Sequence, residues 1–304
     1  MRSTGARGRA GAGGVVAVIV TRNRRDVVLR CLEKLFSADA SPGQVLVVDN
    51  GSTDGTADAI REAFPAVGVC GMGRNVGPAG GFAVGMDLAS RLNPDWLFAL
   101  DDDCFVERDT LACLLDTASR APEAVAVLAP LTAHGGKRNV GYRWRNRPVP
   151  LTDNGQQWPE MVDVDMVTFT GALIRSSAVK SLGLPRADYF TMCWEWEYFL
   201  RLRRSGLRIS VVPRASVHHD TLGSPPRAST PSRGYYQARN GLRLALDRGR
   251  PVEVLHWGMR EVKLVGGILL FLDRKGTRIR LRLRGAVDAM RGRMGQRVSA
   301  GGSL

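Results

Sequence analysis

The chain has 304 residues, 44% of them hydrophobic and 24% charged, a composition that is typical of a globular protein and excludes a disordered or collagen-like chain. Lysine and arginine number 43 against 29 aspartates and glutamates, so the net charge at neutral pH is +14. This excess favours an anionic partner, which could be nucleic acid, acidic membrane lipid or a phosphorylated substrate.

Cysteine usage and apolar segments bear on the cellular compartment. The five cysteines are odd in number and contain no C-x-x-C pair, so we expect reduced thiols in a cytosolic protein rather than a disulfide framework or a zinc ribbon. The apolar run at 15–20 is too short for a signal peptide. The apolar stretch at 262–272 has 11 residues and includes a lysine, so we expect no transmembrane helix.

Short apolar runs alternate with helical patterns over the first 130 residues. Five runs have the length and β-branched content of buried strands, and they lie at 15–20, 45–48, 67–70, 96–100 and 125–129. Four helices are predicted among them: one capped by Asp26, one from Asp54 to Phe64, one carrying Phe82, Met86 and Leu92, and one over 110–119 capped by Asp109. This alternation predicts a parallel sheet with right-handed crossovers.

The remainder of the chain is less regular. We expect a loop or short hairpins over 132–160, a strand at 166–174, a helix at 194–205 that ends at Gly206, a strand at 208–212 stopped by Pro213, and a loop at 221–234. The C-terminal third has helical and basic patterns. The predicted organisation is a flexible N-terminus over 1–13, one α/β domain over 14–245, and a helical, basic region over 246–304.

Polar and glycine-rich segments follow the predicted strands, where an open parallel sheet binds its ligands. The fourth strand is followed directly by Asp101, Asp102 and Asp103. Asp101 and Asp103 are two residues apart, so their side chains can point the same way. Two carboxylates on one side form a hard-oxygen site for Mg²⁺ or Mn²⁺, whereas the alternative is a solvated acidic turn before the next helix.

The glycines do not match a dinucleotide-binding fingerprint. The first strand is followed by TRNRRD, which has no glycine, and GMGRNVG follows the third strand instead, with the wrong spacing for NAD or FAD. The absence of glycines after the first strand also argues against a nucleotidyltransferase. The glycines between 71 and 81 either let the backbone approach a diphosphate or sugar, or form tight turns without a ligand.

A series of motifs resembles family 2 glycosyltransferases over residues 14–245. In order, these motifs are VVAVIVTRNR, VLVVDNGSTDGT, RNVGPAGGFAVGM, FALDDDC, FTGALIRSSAV and EWEYFLRLRRSG. The resemblance implies a GT-A fold, which is α/β and Rossmann-like with a mostly parallel central sheet and flanking helices, here with a helical basic C-terminal extension. It also implies sugar transfer from a nucleoside-diphosphate sugar with inversion. RNVGPAGGF and YYQARN are similar to the rhamnosyl- and galactofuranosyltransferase branch.

The resemblance also implies roles for individual residues. The positions that would bind the donor nucleotide are Thr21, Arg22, Asp49, Asn75, Gly77, Asp101 and Asp102. Asp101 and Asp103 would flank a Mn²⁺ or Mg²⁺ ion. His218 falls where such enzymes often place a third metal ligand, although its neighbour His219 leaves the register open.

The catalytic base is expected at the start of the helix at 194–205. Alignment with the family motif puts Glu195 at the base position, and the chemistry needs a carboxylate within hydrogen-bond reach of the acceptor hydroxyl. Glu195 and Glu197 do not share a helix face, so one should face the cleft while the other pairs with an arginine such as Arg201. Glu197, Trp194 and Trp196 are candidates for acceptor or sugar contact, with core packing as the alternative for the tryptophans.

The basic C-terminal region predicts where the protein resides. Residues 274–297 hold nine basic residues and one acidic residue, and an apolar stretch precedes them. This pattern over 251–297 favours an anionic membrane surface at the cytoplasmic face, where a polyprenyl-linked acceptor would lie. The alternative is a solvated tail that aids solubility. No nucleic-acid-binding motif is present, so nucleic acid is not expected as a partner.

These observations predict a metal-dependent, inverting glycosyltransferase of cell-wall or surface polysaccharide assembly. The donor would be of the UDP-galactofuranose or dTDP-rhamnose type, and the acceptor would be a hydroxyl of a glycan, which could be lipid-linked. The alternative from a different class is a catalytically silent GT-A-like module that binds glycan or membrane. The unusual Trp194-Glu195-Trp196 sequence keeps this alternative open.

Overall fold

The computed structural model describes residues 12–220 and 230–299. The strands are β1 (Ala12–Thr21), β2 (Pro42–Asp49), β3 (Gly68–Gly71), β4 (Trp96–Asp101), β5 (Cys104–Val106), β6 (Val125–His134), β7 (Lys137–Trp144), β8 (Pro148–Thr152), β9 (Val162–Val164), β10 (Ala172–Arg175) and β11 (Arg208–His219). The helices are α1 (Arg25–Ser37), α2 (Thr56–Ala63), α3 (Gly77–Ser90), α4 (Thr110–Arg120), α5 (Ser176–Leu182), α6 (Trp194–Arg204), α7 (Pro231–Asp247), α8 (Pro251–Phe271) and α9 (Lys275–Met290). The flexible N-terminus predicted over 1–13 and the loop predicted at 221–234 lie largely outside the described residues.

The central sheet has the order β3-β2-β1-β4-β10-β6-β11-β5. The first four strands of this order are parallel, as the alternation of strands and helices predicts. The other half is mixed, because β10 pairs antiparallel with both β4 and β6. No helix lies between β6 and β10, so the chain returns through the β7–β8 hairpin rather than through a crossover helix. The structure is therefore α/β with a mixed central sheet and flanking helices.

Several local predictions differ from the structure. Asp26 was predicted to cap the first helix, but it lies within the first turn of α1, whose N-cap is Arg24. The strand predicted to stop at Pro213 continues to His219, because its pairing with β6 shifts register between Val212 and Ser216, and a proline fits such an irregularity. The strand predicted at 166–174 is regular only over Ala172–Arg175. Leu92, assigned to a helix face, lies beyond the end of α3 and is 44% exposed.

Glycines of α3 allow that helix to lie directly on the sheet. A Cβ atom on Gly81 would lie 2.6 Å from Cγ1 of Val20, and one on Gly85 would lie 2.5 Å from Cγ1 of Val18. Real Cβ atoms do not approach other atoms this closely, so any side chain at these positions would push α3 away from β1. Close packing between helix and strand thus explains the glycines at positions 81 and 85.

Gly85→Ala is expected to destabilise the protein by about 1 to 3 kcal/mol, the usual cost of overpacking a core. This reverses the ordinary effect of glycine-to-alanine changes in helices, which stabilise by up to about 1 kcal/mol. Gly258 in α8 is the matched control, because a Cβ atom there meets nothing within 4 Å. Gly258→Ala should leave stability unchanged or raise it in urea unfolding. A stabilising Gly85→Ala would contradict the packing role of this glycine.

The C-terminal helices pack beside the sheet domain, and residue 245 lies within α7. Arg239 of α7 is fully buried and Arg282 of α9 is 7% exposed, so part of the basic excess is structural. Arg282 forms a bidentate ion pair with Glu261, at 2.7 and 3.0 Å. A stripe on α8 is exposed and apolar, and it consists of Leu255, Met259, Val262, Leu269, Leu270 and Phe271. Within 12–220 and 230–299, no helix combines the length and hydrophobicity that crossing a bilayer requires.

Candidate active site

The carboxyl ends of the parallel strands bring the predicted site residues to one edge of the sheet. Thr21 at the end of β1 pairs with Asp49 at the end of β2, and Asp49 pairs with Gly71 of β3. On the other side of β1, Val20 pairs with Asp101 at the end of β4. The predicted nucleotide positions and the predicted metal position are therefore neighbours across adjacent strands. The polar segments that follow these strands in the sequence predict this arrangement.

Asp102 points toward β1 and the start of α1. Its carboxylate accepts a hydrogen bond of 2.8 Å from the Thr21 hydroxyl and one of 2.9 Å from Nη1 of Arg24. The same Arg24 nitrogen donates to Asp103 at 2.8 Å. Arg24 ties two of the three aspartates together, and the sequence analysis missed it, although it stands only three residues after β1. Arg22, which was predicted to bind the nucleotide, is exposed.

Four potential metal ligands cluster beside this ion pair. The ligand atoms of Asp101, Asp103, Cys104 and His219 all lie within 4.8 Å of one another. Nε2 of His219 is 3.1 Å from Oδ1 of Asp103. Burial, followed by the charges of the neighbouring aspartates, raises the pKa of the Cys104 thiol well above its ordinary value, and a protonated thiol is a poor ligand. The donor set that fits a hard cation is therefore Asp101, Asp103 and His219.

The structure places His218 outside this cluster. Its side chain is 60% exposed and its Nε2 lies 2.7 Å from Oε1 of Glu107. Both histidines belong to β11, where successive side chains point to opposite faces, so only one of them can face Asp103. The geometry therefore favours His219, which has only 14% of its side chain exposed, over His218 as the candidate ligand, and metal binding by either stays a prediction.

The carboxylates of this site are electrostatically unequal. Burial raises the pKa of Asp101 well above its ordinary value, and the charges of Glu195 and Asp103 raise it further. Burial also acts to raise the pKa of Asp103, but the hydrogen bonds and charges of His219 and Arg24 outweigh burial and hold it below its ordinary value. Asp101 is thus a half-buried acid among like charges, a position that a bound cation would stabilise.

Glu195 and Glu197 are divided between the cleft and the core, as their spacing predicts. Oε1 of Glu195 accepts a hydrogen bond of 2.8 Å from the Phe169 backbone N–H. Glu195 and Asp101 line the same cleft, which has a volume of about 430 Å³. Glu197 pairs with Arg201 at 2.9 and 3.2 Å and is only 9% exposed. Glu197 therefore has a structural ion pair, and sugar contact by Glu197 stays a prediction.

The two tryptophans that flank Glu195 differ in their surroundings. Trp194 is 4% exposed and stacks on Phe82 at 5.4 Å between ring centroids, so it packs in the core. Trp196 lines the cleft that contains Glu195 and also a neighbouring cavity of about 490 Å³. That second cavity includes Trp144 and Trp257. Both tryptophans line the cleft with Glu195, Trp196 is the more exposed of the two, and sugar contact by either stays a prediction.

Loops after β2 and β3 are fixed by side chains from the predicted nucleotide motifs. Asp49 accepts a hydrogen bond of 2.9 Å from the Ser52 backbone N–H, and Asn75 accepts one of 2.9 Å from Gly77. Gly77 has a φ of +74°, and a Cβ atom there would lie 2.0 Å from the Phe190 carbonyl oxygen. These contacts stabilise the loops, and nucleotide binding by Asp49, Asn75 and Gly77 stays a prediction.

A hairpin forms one side of the cleft, in the segment where the sequence predicts a loop or short hairpins. The segment 132–160 forms β7 and β8, and Lys137, Asn139 and Tyr142 from β7 line the cleft with Glu195. Thr168 and Thr170, which bond each other at 2.7 Å, line it from the segment before β10. The sequence analysis did not select these polar residues, because no local pattern distinguishes them from other loop residues.

The turn that leads into α6 is held by α7. Nδ2 of Asn240 lies 2.9, 2.5 and 2.8 Å from the carbonyl oxygens of Tyr189, Thr191 and Met192. Arg239 donates to the Tyr189 carbonyl at 2.9 Å and to the Asn240 side chain at 2.8 Å. Both residues are fully buried. The YYQARN sequence, noted above only as a branch motif, therefore includes a clamp on this turn.

The clamp holds a backbone conformation that is unfavourable by itself. Phe190, Met192 and Cys193 have φ values of 64°, 59° and 61°, in the left-handed region that non-glycine residues rarely adopt. Cys193 immediately precedes α6, and Glu195 is the second residue of that helix. The position of the candidate base therefore depends on the hydrogen bonds that α7 supplies.

Asn240→Ala is expected to lower kcat for glycosyl transfer by about 10²-fold, the usual effect of misplacing a reacting group by about 1 Å. The donor KM should change little, because the clamp contacts the turn before Glu195 and not the strand ends. Arg243→Ala on the same helix is the control, since Arg243 pairs with Asp247 instead. Equal kcat values for Asn240→Ala and wild type would contradict the positioning role.

Comparisons with known proteins agree with this architecture. The family model of glycosyl transferase family 2 matches residues 16–183. The chain is 29% identical over 272 residues to galactofuranosyltransferase GlfT1 of Mycolicibacterium smegmatis, covering 80% of this chain and 88% of that protein. It is 28% identical over 238 residues to the N-acetylglucosaminyl-diphospho-decaprenol L-rhamnosyltransferase of Mycobacterium tuberculosis, covering 69% and 77%.

A solved structure shares the fold at low sequence identity. The crystal structure of GalNAc-T7 with UDP, GalNAc and Mn²⁺ superposes with a TM-score of 0.59 and 17% identity, over 76% of this chain and 47% of that one. The family model spans more than half of the chain and includes the strand ends that carry Thr21, Asp49 and Asp101. The chain is a glycosyltransferase with the GT-A fold and belongs to glycosyl transferase family 2.

Proposed function

We propose that this enzyme transfers a sugar, with inversion, from a nucleoside-diphosphate sugar to a hydroxyl of a lipid-linked glycan in cell-wall polysaccharide assembly. The main support is one observation: the Asp101, Asp103 and His219 cluster and Glu195 lie around one cleft at the carboxyl edge of the sheet. The relatives' names favour a donor of the UDP-galactofuranose or dTDP-rhamnose type and a polyprenyl-diphosphate acceptor.

The donor set fits Mn²⁺ or Mg²⁺. Asp101, Asp103 and His219 would hold the ion, which when bound would offset the charge that develops on the leaving diphosphate. Support comes from Asp101, whose raised pKa reflects burial and the nearby charges of Glu195 and Asp103. Arg24 keeps the second oxygen of Asp103 in a fixed orientation, through its hydrogen bond of 2.8 Å.

Glu195 is the proposed base. The Phe169 N–H orients its carboxylate, which accepts the proton of the acceptor hydroxyl. The acceptor oxygen forms a bond to the anomeric carbon as the bond from that carbon to the diphosphate breaks on the opposite face. The nucleoside diphosphate leaves with the bonding electrons, and the proton remains on Glu195 until it passes to solvent.

The test is a donor screen by mass spectrometry. The purified protein is incubated with Mn²⁺ and a panel of sugar nucleotides, with and without a synthetic lipid-diphosphate disaccharide acceptor. Release of nucleoside diphosphate together with a product one sugar heavier is the expected result. Binding of donor or glycan without any release would favour the catalytically silent module and would reject the proposed function.

We propose in addition that α8 and α9 bind an anionic membrane surface at the cytoplasmic face. The exposed apolar stripe on α8 is followed along the chain by exposed basic residues of the C-terminal region, namely Arg274, Lys275, Arg280, Arg291, Arg293 and Arg297. Apolar side chains with neighbouring cations are typical of interfacial helices. Arg278 and Arg282 are excluded from this surface because they are buried in ion pairs.

Replacing Lys275, Arg280 and Arg291 with glutamine should weaken binding to vesicles rich in phosphatidylglycerol. Each cation near such a surface contributes about 1 kcal/mol, so the triple variant should bind about 10²-fold more weakly in a sedimentation assay.

The matched control removes three exposed arginines from the sheet domain, Arg61, Arg91 and Arg108, each of which sits in an exposed ion pair. This control should bind vesicles like the wild type. Equal losses in the two triple variants would indicate that only net charge matters and would reject an oriented membrane surface.

A further inference from the structure

A further cavity lies among the C-terminal helices, beside the catalytic cleft. It is a groove of about 510 Å³ between the first turns of α7, the C-terminal half of α8, and α9. We call it the α7–α8 groove. Its volume is in the range of cavities that hold small organic ligands. Neither the strand-end motifs nor the proposed catalytic step accounts for it.

The walls of the α7–α8 groove are cationic on one side and apolar on the other. Lys263, Arg233 and Arg278 supply positive charge, while Ile268 and Phe271 supply apolar surface. This combination matches an amphiphile that has an anionic headgroup and a hydrocarbon chain.

The cations differ in their availability to a ligand. Arg278 pairs with Asp273 at 2.7 Å, so its charge is partly compensated. Lys263 is exposed, and within the described parts of the chain no carboxylate lies within ion-pair distance of its ammonium group. Lys263 is therefore a cation that an anionic ligand can reach at little cost in lost protein contacts.

The helix that forms one wall has glycine where packing does not require it. Gly267 lines the groove, and a Cβ atom there would meet nothing within 4 Å. This contrasts with Gly81 and Gly85, where neighbouring strands exclude any side chain. Glycine weakens a helix interior relative to alanine, so its presence at a groove-lining position keeps open a space that a larger side chain would fill.

The α7–α8 groove adjoins the catalytic cleft. Met192 and Arg233 line both cavities. At its other end the groove reaches Phe271, which is 82% exposed at the end of the apolar stripe of α8. The groove therefore lies between the proposed membrane surface and the cleft that contains Glu195.

We infer that the α7–α8 groove binds the diphosphate and the first isoprene units of a polyprenyl-diphosphate-linked acceptor. Lys263 and Arg233 contact the diphosphate, Ile268 and Phe271 contact the hydrocarbon, and the glycan passes Met192 to reach Glu195. This inference rests on the proposed function for the identity of the acceptor. Bulk phospholipid is the competing occupant of such a surface.

The test measures binding of farnesyl diphosphate to the full-length protein by calorimetry, with no sugar nucleotide present. Gly267→Leu should fill the groove and weaken this binding at least about tenfold. Gly258→Leu is the matched control on the same helix, because its Cβ position is also open and it does not line the groove. Lys263→Glu should weaken farnesyl diphosphate binding as well, while binding of farnesol should be less affected.

The outcomes separate the inference from the proposed function. Unchanged farnesyl diphosphate binding in both Gly267→Leu and Lys263→Glu overturns the inference, as does an equal loss in Gly258→Leu. A Gly267→Leu variant that loses binding to phosphatidylglycerol vesicles as strongly as binding to farnesyl diphosphate identifies the groove as a general lipid contact and also overturns it. Specific farnesyl diphosphate binding without nucleoside-diphosphate release in the donor screen supports the groove and rejects the proposed function.

Discussion

Glu195→Gln is expected to lower kcat by about 10² to 10⁴-fold, the contribution that a positioned general base makes. Glutamine keeps the shape of the side chain and its carbonyl oxygen can still accept the hydrogen bond from the Phe169 N–H, but it cannot take the acceptor proton. The donor KM should stay near its wild-type value. Initial-rate measurements with a soluble acceptor, across a range of donor concentrations, separate the two constants.

Glu197→Gln is the matched control, since it makes the same chemical change two residues along the same helix. Glu197 is paired with Arg201, so we expect a loss of about 1 to 2 kcal/mol in the free energy of unfolding, between the values for exposed and buried ion pairs. Its kcat should remain within a few-fold of wild type. A larger kcat loss in Glu197→Gln than in Glu195→Gln would reverse the assignment of the base.

Asp101→Asn is expected to abolish metal-dependent transfer with no loss of fold stability. A bound cation contributes several kcal/mol to stabilising charge in the transition state, which corresponds to at least about 10²-fold in rate. In the metal-free protein, however, Asp101 is half-buried beside Asp103 and Glu195, and the loss of solvent together with these like charges raises its pKa. Removing this carboxylate should therefore leave the metal-free melting temperature unchanged or higher, while the increase caused by added Mn²⁺ in the wild type should disappear.

The two adjacent histidines give an internal control for the metal site. His219→Ala should reduce the Mn²⁺-induced rise in melting temperature, because its ring contacts Asp103. His218→Ala should leave that rise intact, because its ring contacts the exposed Glu107 instead. A rise that survives Asp101→Asn and His219→Ala alike would place the ion elsewhere.

Local sequence patterns were sufficient to predict which residues lie at the ends of the parallel strands, but not to predict the strand pairing in the mixed half of the sheet. Parallel strands with helical crossovers place their carboxyl ends at one edge of the sheet. The order of strands and helices along the chain was therefore enough to predict that Thr21, Asp49 and Asp101 lie close together. The strand β10 has only four residues and returns without a crossover helix, so no periodicity indicates that it pairs antiparallel with β4.

Long-range contacts explain the site residues that were missed or misassigned. Arg24 reaches Asp102 and Asp103 across 78 and 79 residues of sequence, and Asn240 reaches the turn before Glu195 across 48 to 51 residues. Neither contact has a local signature. The choice between His218 and His219 depends on the register of β11, which the irregularity at Pro213 shifts.

The sequence by itself determined the family, the order of the first strands, the acidic strand end and the division of Glu195 from Glu197, because these follow from short spacings along the chain. The tertiary structure decided which histidine faces Asp103, which glycines lie against strands and which face an open groove. It also showed that part of the excess positive charge is structural, because Arg239, Arg278 and Arg282 are buried while other cations remain on the surface. These properties depend on what lies opposite each side chain, and packing between distant segments fixes that.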